Sequence, residues 1–264
     1  MIASLPMYTS SPAQVDRLWR HIEASLTGAS AGAIPRELTW PPDYLGHWLR
    51  PELLLSQTCS FPLVTKLAGK VRVVGAFRYL ADGCNGIFCR SKLIVRANDM
   101  ANTLIDLRGR TVAYNSTDSQ SGYNSLRALV APLAQHGTFF ANRLETGSHR
   151  GSVDAVRDGL ADIAAVDCVT LAGLEKYSPD VTRGIRVLGY SDPYPGLPLI
   201  TAAQTGDATV AALRAALQHA MQDPVLGATR EALFIEGFEP VELSAYQVCI
   251  DMRDRAFALS CPTL

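Results

Sequence analysis

The sequence predicts an α/β protein in two lobes, and three observations predict it. Short β-branched runs alternate with amphipathic helical stretches, the pattern of open sheets joined by crossover connections. Two segments, 82–93 and 187–201, are extended and rich in Gly and Cys or in Pro, and read as chain crossings between lobes. The length, 264 residues with 48% hydrophobic side chains, suffices for one large domain or two of ordinary size with sizeable cores. The expected division is residues 1–83 with 196–264 as a discontinuous first lobe and 84–195 as the second.

The elements follow in chain order. Ser11 is placed to cap the first helix and Pro12 to open it, where its missing N–H costs no hydrogen bond. Val15, Leu18, Trp19, Ile22 and Leu26 then recur at helical spacing, and Gly28 ends the run. Residues 53–56, 71–76, 111–114 and 161–166 read as buried strands bounded by turn residues. A short helix is expected over 61–68. Another follows residue 124, with Leu126, Leu129, Val130 and Leu133 on its apolar face. Ser148 caps a third, with Val153, Val156 and Leu160 inward. The last clear helix runs from Asp207 to Gln222 on Val210, Leu213, Leu217 and Met221, and Pro224 stops it.

Composition narrows the function classes. Twenty-four basic and twenty-five acidic residues give a net charge of −1, and mean hydropathy is +0.09. So apolar a chain offsets its ordering entropy by burial and is not disordered. Nucleic-acid binding driven by bulk charge wants a basic excess that is missing here. No transmembrane helix is expected, because Asp or Arg breaks every apolar stretch well short of about 18 residues. The expected partner is a small molecule, held by local geometry and not by a surface field. No secretory leader opens the chain as written, since Pro6 interrupts the first apolar run and no basic residue precedes Arg17. The expectation is a cytoplasmic protein, or a periplasmic one whose leader has been removed.

Six cysteines, Cys59, Cys84, Cys89, Cys168, Cys249 and Cys261, form no Cys-x-x-Cys pair and have no His at zinc-ligand spacing. They read as scattered thiols, with a Cys84–Cys89 bridge the alternative in an oxidising compartment. No metal site and no cofactor are expected.

The chemistry concentrates after the strand ending at Tyr114. Ser116, Thr117, Ser119, Ser121 and Tyr123 place five hydroxyls in eight positions ahead of a helix. A strand feeding a Ser- and Gly-rich turn into a helix start offers unpaired N–H groups, the positive end of the helix dipole and neutral donors to an anion. Gly122 lets the backbone approach closely. A second strand, turn and helix puts His149 and Arg150 in the first helical turn; Arg150 reads as a surface ion pair with Asp154. Tyr8, Thr58 and Asp167 follow strands, and ligands of open α/β sheets bind at the carboxyl ends of strands. A cap for the following helix is the alternative role of Asp167. Hydrolase elbows, phosphate loops, zinc-protease motifs and dinucleotide fingerprints are all missing, so the residues read as binding without chemistry.

The string Asp106-Leu-Arg-Gly-Arg-Thr-Val-Ala-Tyr-Asn-Ser, followed by Ser119-Gln-Ser-Gly-Tyr, resembles the phosphate/phosphonate ABC-transporter solute-binding proteins of the PhnD-like family. Gly147-Ser-His-Arg-Gly-Ser-Val-Asp-Ala-Val and Gly159-Leu-Ala-Asp-Ile-Ala-Ala-Val-Asp are similar to that family's next elements. The resemblance covers roughly residues 50–200. It implies a type II periplasmic-binding-protein fold, each lobe a mixed, mostly parallel sheet flanked by helices, closing by a hinge over a ligand in the interlobe cleft. It also implies a site of Ser116, Ser119, Ser121, Gly122 and Tyr123, with Tyr8, Thr58, His149 and Asp167 around it, and an ABC permease as partner. Asp118 adds a carboxylate nearby, so a zwitterionic ligand stands beside an oxyanion. The alternative reading is a cofactor-biosynthesis enzyme on the same fold, using His149 or Asp167 as acid/base.

Overall fold

The computed structural model describes residues 1–26 and 33–264; Gly28, the expected end of the first helix, lies outside them. Twelve strands occur among the described residues: β1 (Ile2–Ala3), β2 (Leu53–Gln57), β3 (Val71–Tyr79), β4 (Phe88–Cys89), β5 (Ser91–Arg96), β6 (Thr111–Tyr114), β7 (Asn142–Glu145), β8 (Ile163–Asp167), β9 (Ile185–Tyr190), β10 (Tyr194–Pro195), β11 (Pro198–Ala202) and β12 (Ile235–Glu239). The chain divides into two compact units. The first holds Met1–Leu80, Asn85–Ile87 and Pro195–Ala245; the second holds Ala81–Cys84, Phe88–Tyr194 and Tyr246–Leu264. The last nineteen residues therefore depart from the expected first lobe. Asn124 Nδ2 donates to Cys249 O (2.9 Å), Arg127 donates to Pro262 O (2.7 Å), and Leu264 joins the second unit's core, so burial and hydrogen bonding hold this segment there.

In the first unit the sheet order is β1-β2-β11-β3-β12. Strands β1 and β2 pair in parallel, β11 runs antiparallel to both β2 and β3, and β12 runs antiparallel to β3. The helix Pro12–Leu26 buries all five of its expected apolar residues and packs against Asp207–Gln222, which buries Val210, Leu213, Leu217 and Met221. The Ser11 carbonyl accepts from the N–H groups of Gln14 and Val15. The short helix spans Ser60–Thr65 and ends before expected, because the N–H groups of Lys66 and Leu67 both turn back to Pro62 O.

In the second unit the order is β7-β6-β8-β5-β9. Strands β7, β6 and β8 pair in parallel, and β5 is antiparallel to both β8 and β9. Two of its four pairings are parallel and two antiparallel. In the first unit only β1–β2 is parallel, so both sheets are mixed and neither is mostly parallel as expected. Strands that return by crossing between segments distant in the chain pair antiparallel. Side-chain alternation splits its core cleanly. Leu93, Val95, Val112, Ile163 and Ala165 face Leu126, Val130, Phe139 and Phe140 on one side. Ile94, Ala113, Ala164 and Val166 face Val153, Val156, Leu171 and Leu174 on the other. Leu160, expected on the inner face of its helix, is 67% exposed. Its helix stops at Arg157, and Gly159 (φ 80°) turns the chain before Leu160 is reached. No described helix is long and apolar enough to cross a membrane.

Candidate functional site

The parallel strands β7, β6 and β8 of the second unit end at Glu145, Tyr114 and Asp167, so the segments after them share the carboxyl edge of that sheet. This is where an open α/β sheet leaves room for a ligand, because its crossover connections diverge there. The segment after β6 does not enter an ordinary α-helix. Its first turn, Gln120–Asn124, is π-helical, with Asn124 N–H reaching back to Ser119 O at 2.9 Å, and only then does the α-helix Ser125–Val130 begin. Single π turns widen a helix and often mark functional positions. Ser119 caps it, its Oγ accepting from Gly122 N–H at 2.9 Å.

Ser121 is fixed through its backbone. Ser91 Oγ donates to Ser121 O (2.8 Å), Ser125 Oγ donates to the same oxygen (2.9 Å), and the Tyr194 hydroxyl lies 2.8 Å from Ser91 Oγ. Burial pushes the Tyr194 hydroxyl well above its ordinary range, so it stays a neutral donor. With its carbonyl occupied twice, Ser121 presents its own hydroxyl 2.8 Å from His149 Nε2 and 3.4 Å from Ser119 Oγ.

His149 opens the helix His149–Arg157, which Ser148 caps by accepting from Gly151 N–H. Desolvation pulls the ring down to about 4, so it is neutral near pH 7. Neutrality also removes the conflict between a cation and a helix N-terminus. A neutral imidazole has one donor and one acceptor nitrogen. Nε2 faces Ser121, while Nδ1 is enclosed without a partner. Asn115 Oδ1 is enclosed without a partner as well. Two orphaned polar atoms beside one pair of helix starts mark a place where a polar ligand would complete the hydrogen bonding. A Cβ on Gly122 would collide with Asn115 Oδ1 and come within 3.3 Å of His149 Cε1, so space excludes any side chain there.

The remaining expected residues do different work. Ser116 Oγ accepts from Asp118 N–H (3.2 Å) and shapes the turn. The Tyr123 ring lies in the core, edge-on to Tyr114 at 5.1 Å and under the Arg127 guanidinium at 5.4 Å. Asp167 caps Cys168–Tyr177 by accepting from Thr170 N–H (2.8 Å). Arg150 Nε lies 3.7 Å from Asp154 on the surface, as expected. In the first unit, Thr58 is buried, and its N–H donates to Pro198 O (3.0 Å). There the Tyr8 ring packs edge-on to Tyr79 at 5.2 Å, and the Tyr79 hydroxyl accepts from Gln57 Nε2 (3.1 Å).

The structure thus gathers Ser119, Ser121, Gly122 and His149, and adds Asn115, Ser91, Ser125 and Tyr194, which sequence reasoning missed as site residues. Asn115 carried a signal, being the first residue after a strand. Ser91 and Tyr194 carried none, since each is one polar residue in an extended crossing. The cysteines also differ from expectation. None of the six described cysteines is in a disulfide, yet Cys84, Cys89 and Cys168 are not scattered but meet in the second unit.

A family model for the ABC-transporter phosphonate periplasmic substrate-binding protein matches residues 53–246. No curated protein matches the chain. Among solved structures, a binding-protein component of an ABC phosphonate transporter from Pseudomonas aeruginosa superposes with a TM-score of 0.77 at 16% identity, covering 98% of this chain and 87% of that one. PhnD1 from Prochlorococcus marinus in complex with methylphosphonate gives 0.74 at 13% identity, covering 96% of each. A Xanthomonas citri protein bound to chloride ion gives 0.71 at 16% identity, covering 98% of each. At such identities these structures share its fold.

Proposed function

The chain belongs to the ABC-transporter phosphonate periplasmic substrate-binding protein family, and from that premise we propose that it captures a small phosphonate- or phosphate-like oxyanion at the helix starts of its second unit. The observation that carries the reading is the Ser121–His149 contact of 2.8 Å at two helix starts, with His149 Nδ1 enclosed and without a partner. Asn115 Oδ1, also without a partner, is an acceptor and would take the acid proton of a monoprotonated ligand. Hydroxyls, helix-start N–H groups and a neutral imidazole give an anion several donors with no full positive charge. That suits a chain whose net charge is −1.

Ser116 and Ser119 complete the donor set, and Gly122 admits the ligand to the backbone. Tyr123 positions the turn, and Asp167 holds the neighbouring helix start. Occupancy reaches an ABC permease through a hinge motion. Binding without turnover is the reading that fits the family's role as a substrate-binding protein, and Asp167 already has a structural duty as the cap that accepts from Thr170 N–H.

Thermal-shift titration tests the reading. A ligand at 100 times its Kd stabilises the native state by about 2.7 kcal/mol. Methylphosphonate or inorganic phosphate should therefore raise the midpoint by several degrees, and Ser121→Ala should remove the shift. No response to any oxyanion would overturn it. Phosphorus NMR of the bound compound should show it unchanged; turnover that disappears in His149→Ala would establish an enzyme instead.

A further inference from the structure

We propose that Cys84, Cys89 and Cys168 form a site for one thiophilic d10 cation of the Zn(II), Cd(II) or Cu(I) type. This stands apart from the oxyanion reading and shares no residue with it except the neighbouring cap, Asp167. Cys84 and Cys89 lie five residues apart, and Cys168 comes from a distant part of the second unit. Cys84 sits in a turn closed by its N–H on Ala81 O (2.9 Å), Cys89 ends β4, and Cys168 is the first residue of the helix Cys168–Tyr177. Their sulfurs nonetheless converge. Cys84 Sγ lies 3.5 Å from Cys89 Sγ and 3.3 Å from Cys168 Sγ, and all three fall within 4.8 Å of one another.

That spacing suits a metal. A tetrahedral ion about 2.3 Å from each thiolate sets the sulfurs roughly 3.8 Å apart, so the cluster needs to open by only about half an ångström. Thiolate ligands select this class of ion over magnesium or calcium. Cys89 and Cys168 are buried, at 1% and 0% exposure, and Cys84 is half-buried, which leaves an entry path on its side. Gly83 makes the approach feasible: at φ 104° it takes a left-handed conformation, and a Cβ there would lie 3.1 Å from Cys168 Cβ.

The surroundings agree with the geometry. Cys84 Sγ is in hydrogen-bond contact with both other sulfurs, and a cation binding all three as thiolates would displace their protons. The Asp167 carboxylate beside Cys84 adds negative charge that a bound cation would offset. Lys92 Nζ is engaged 3.1 Å away by Asp82, which also accepts from the Tyr190 hydroxyl at 2.6 Å.

The experiment uses the full chain, reduced and stripped of metal, with all six thiols counted before titration. Cd(II) should give a thiolate-to-metal charge-transfer band saturating at one equivalent. Zn(II), read by competition with a chromophoric chelator, should protect three thiols from alkylation. Loss of an outer-shell partner typically weakens a metal site about 10- to 100-fold. Loss of a ligand in Cys84→Ser should weaken it by more than about 100-fold, while Cys261→Ser leaves affinity unchanged. If Cys84→Ser disturbs folding by circular dichroism, Cys89→Ser and Cys168→Ser serve the same comparison. The proposal fails if the reduced protein binds neither ion, if the protected thiols are not these three, or if all three Ser variants bind as tightly as the parent. It also fails if Cys84 returns to a disulfide with Cys89 or Cys168 in the presence of metal.

Discussion

Ser121 Oγ lies 2.8 Å from His149 Nε2 and ties together two helix starts that are 28 residues apart in the chain. Each start is capped by its own serine, Ser119 on Gly122 N–H and Ser148 on Gly151 N–H. The contact is therefore free of any duty in helix initiation. It leaves two polar atoms, His149 Nδ1 and Asn115 Oδ1, without a partner inside the protein. Those features give the site its expected behaviour under mutation and pH.

Ser121→Ala should separate binding from folding. The backbone of residue 121 stays fixed by Ser91 and Ser125 through its carbonyl. The lost hydroxyl removes a hydrogen bond worth about 1.5–3 kcal/mol to a charged ligand, a weakening of roughly 10- to 100-fold. Calorimetric Kd values and the urea midpoint should diverge, the first moving far more than the second.

His149 predicts a pH dependence with a definite sign. Its folded value, about 4, lies below the ordinary 6.5 because burial disfavours the charged ring. Above about pH 6.5 both states are neutral and the residue contributes its full share of stability. As pH falls from 6.5 towards 4, the unfolded chain takes up a proton that the native ring refuses. Stability drops over that window by a total of the order of 3 kcal/mol. Urea denaturation at pH 7, 5.5 and 4.5 should show the fall, and His149→Gln should flatten it.

Gly122→Val should abolish oxyanion binding and also shift the local structure. The new side chain would occupy the space of Asn115 Oδ1 and press on His149. Overpacking of this kind typically costs about 1–3 kcal/mol. A variant that retained both the parent affinity and the parent midpoint would show that the close approach has no role.

Arg127→Ala should destabilise the second unit by about 2–4 kcal/mol without touching ligand contacts. The guanidinium donates to Pro262 O (2.7 Å) and Asn124 Oδ1 (2.9 Å), and it stacks over Tyr123 and Phe257. Truncation leaves the buried Asn124 Oδ1 unpaired, at about 1–3 kcal/mol. It also removes the packing of the guanidinium on Tyr123 and Phe257, while Pro262 O, on an exposed residue, turns to water. Arg127→Lys should recover only part of the loss, because an ammonium cannot reproduce the planar fork. Chemical denaturation of the two variants provides the comparison.

Much of the fold was legible because its signals are local. Pro12 at a helix start, the spacing of Val15, Leu18, Trp19, Ile22 and Leu26, and the run Thr111–Tyr114 each state their element within a few residues. The Ser-rich turn was legible for the same reason, as was the Ser148 cap. What escaped depends on long-range geometry. The π turn at Gln120–Asn124 has no sequence pattern distinct from an α-helical one. Ser91 and Tyr194 enter the site only because a crossing strand returns beside β8. The C-terminal helix Gln247–Ala258 has an unremarkable amphipathic face, so its packing on the second unit could be read only from Asn124 and Arg127. The three-thiol cluster joins residues 84 apart in sequence, beyond the reach of any spacing rule.

The proposed oxyanion site rests on the paired helix starts of Ser121 and His149. Isothermal titration calorimetry with methylphosphonate, on the parent, Ser121→Ala, His149→Ala and the double variant, tests it most directly. The parent should show saturable one-to-one binding, each single variant weaker binding, and the double variant a loss smaller than the sum of the two, since the residues act as one contact. Equal affinity across all four proteins, or no binding to the parent by methylphosphonate and by inorganic phosphate alike, would contradict it.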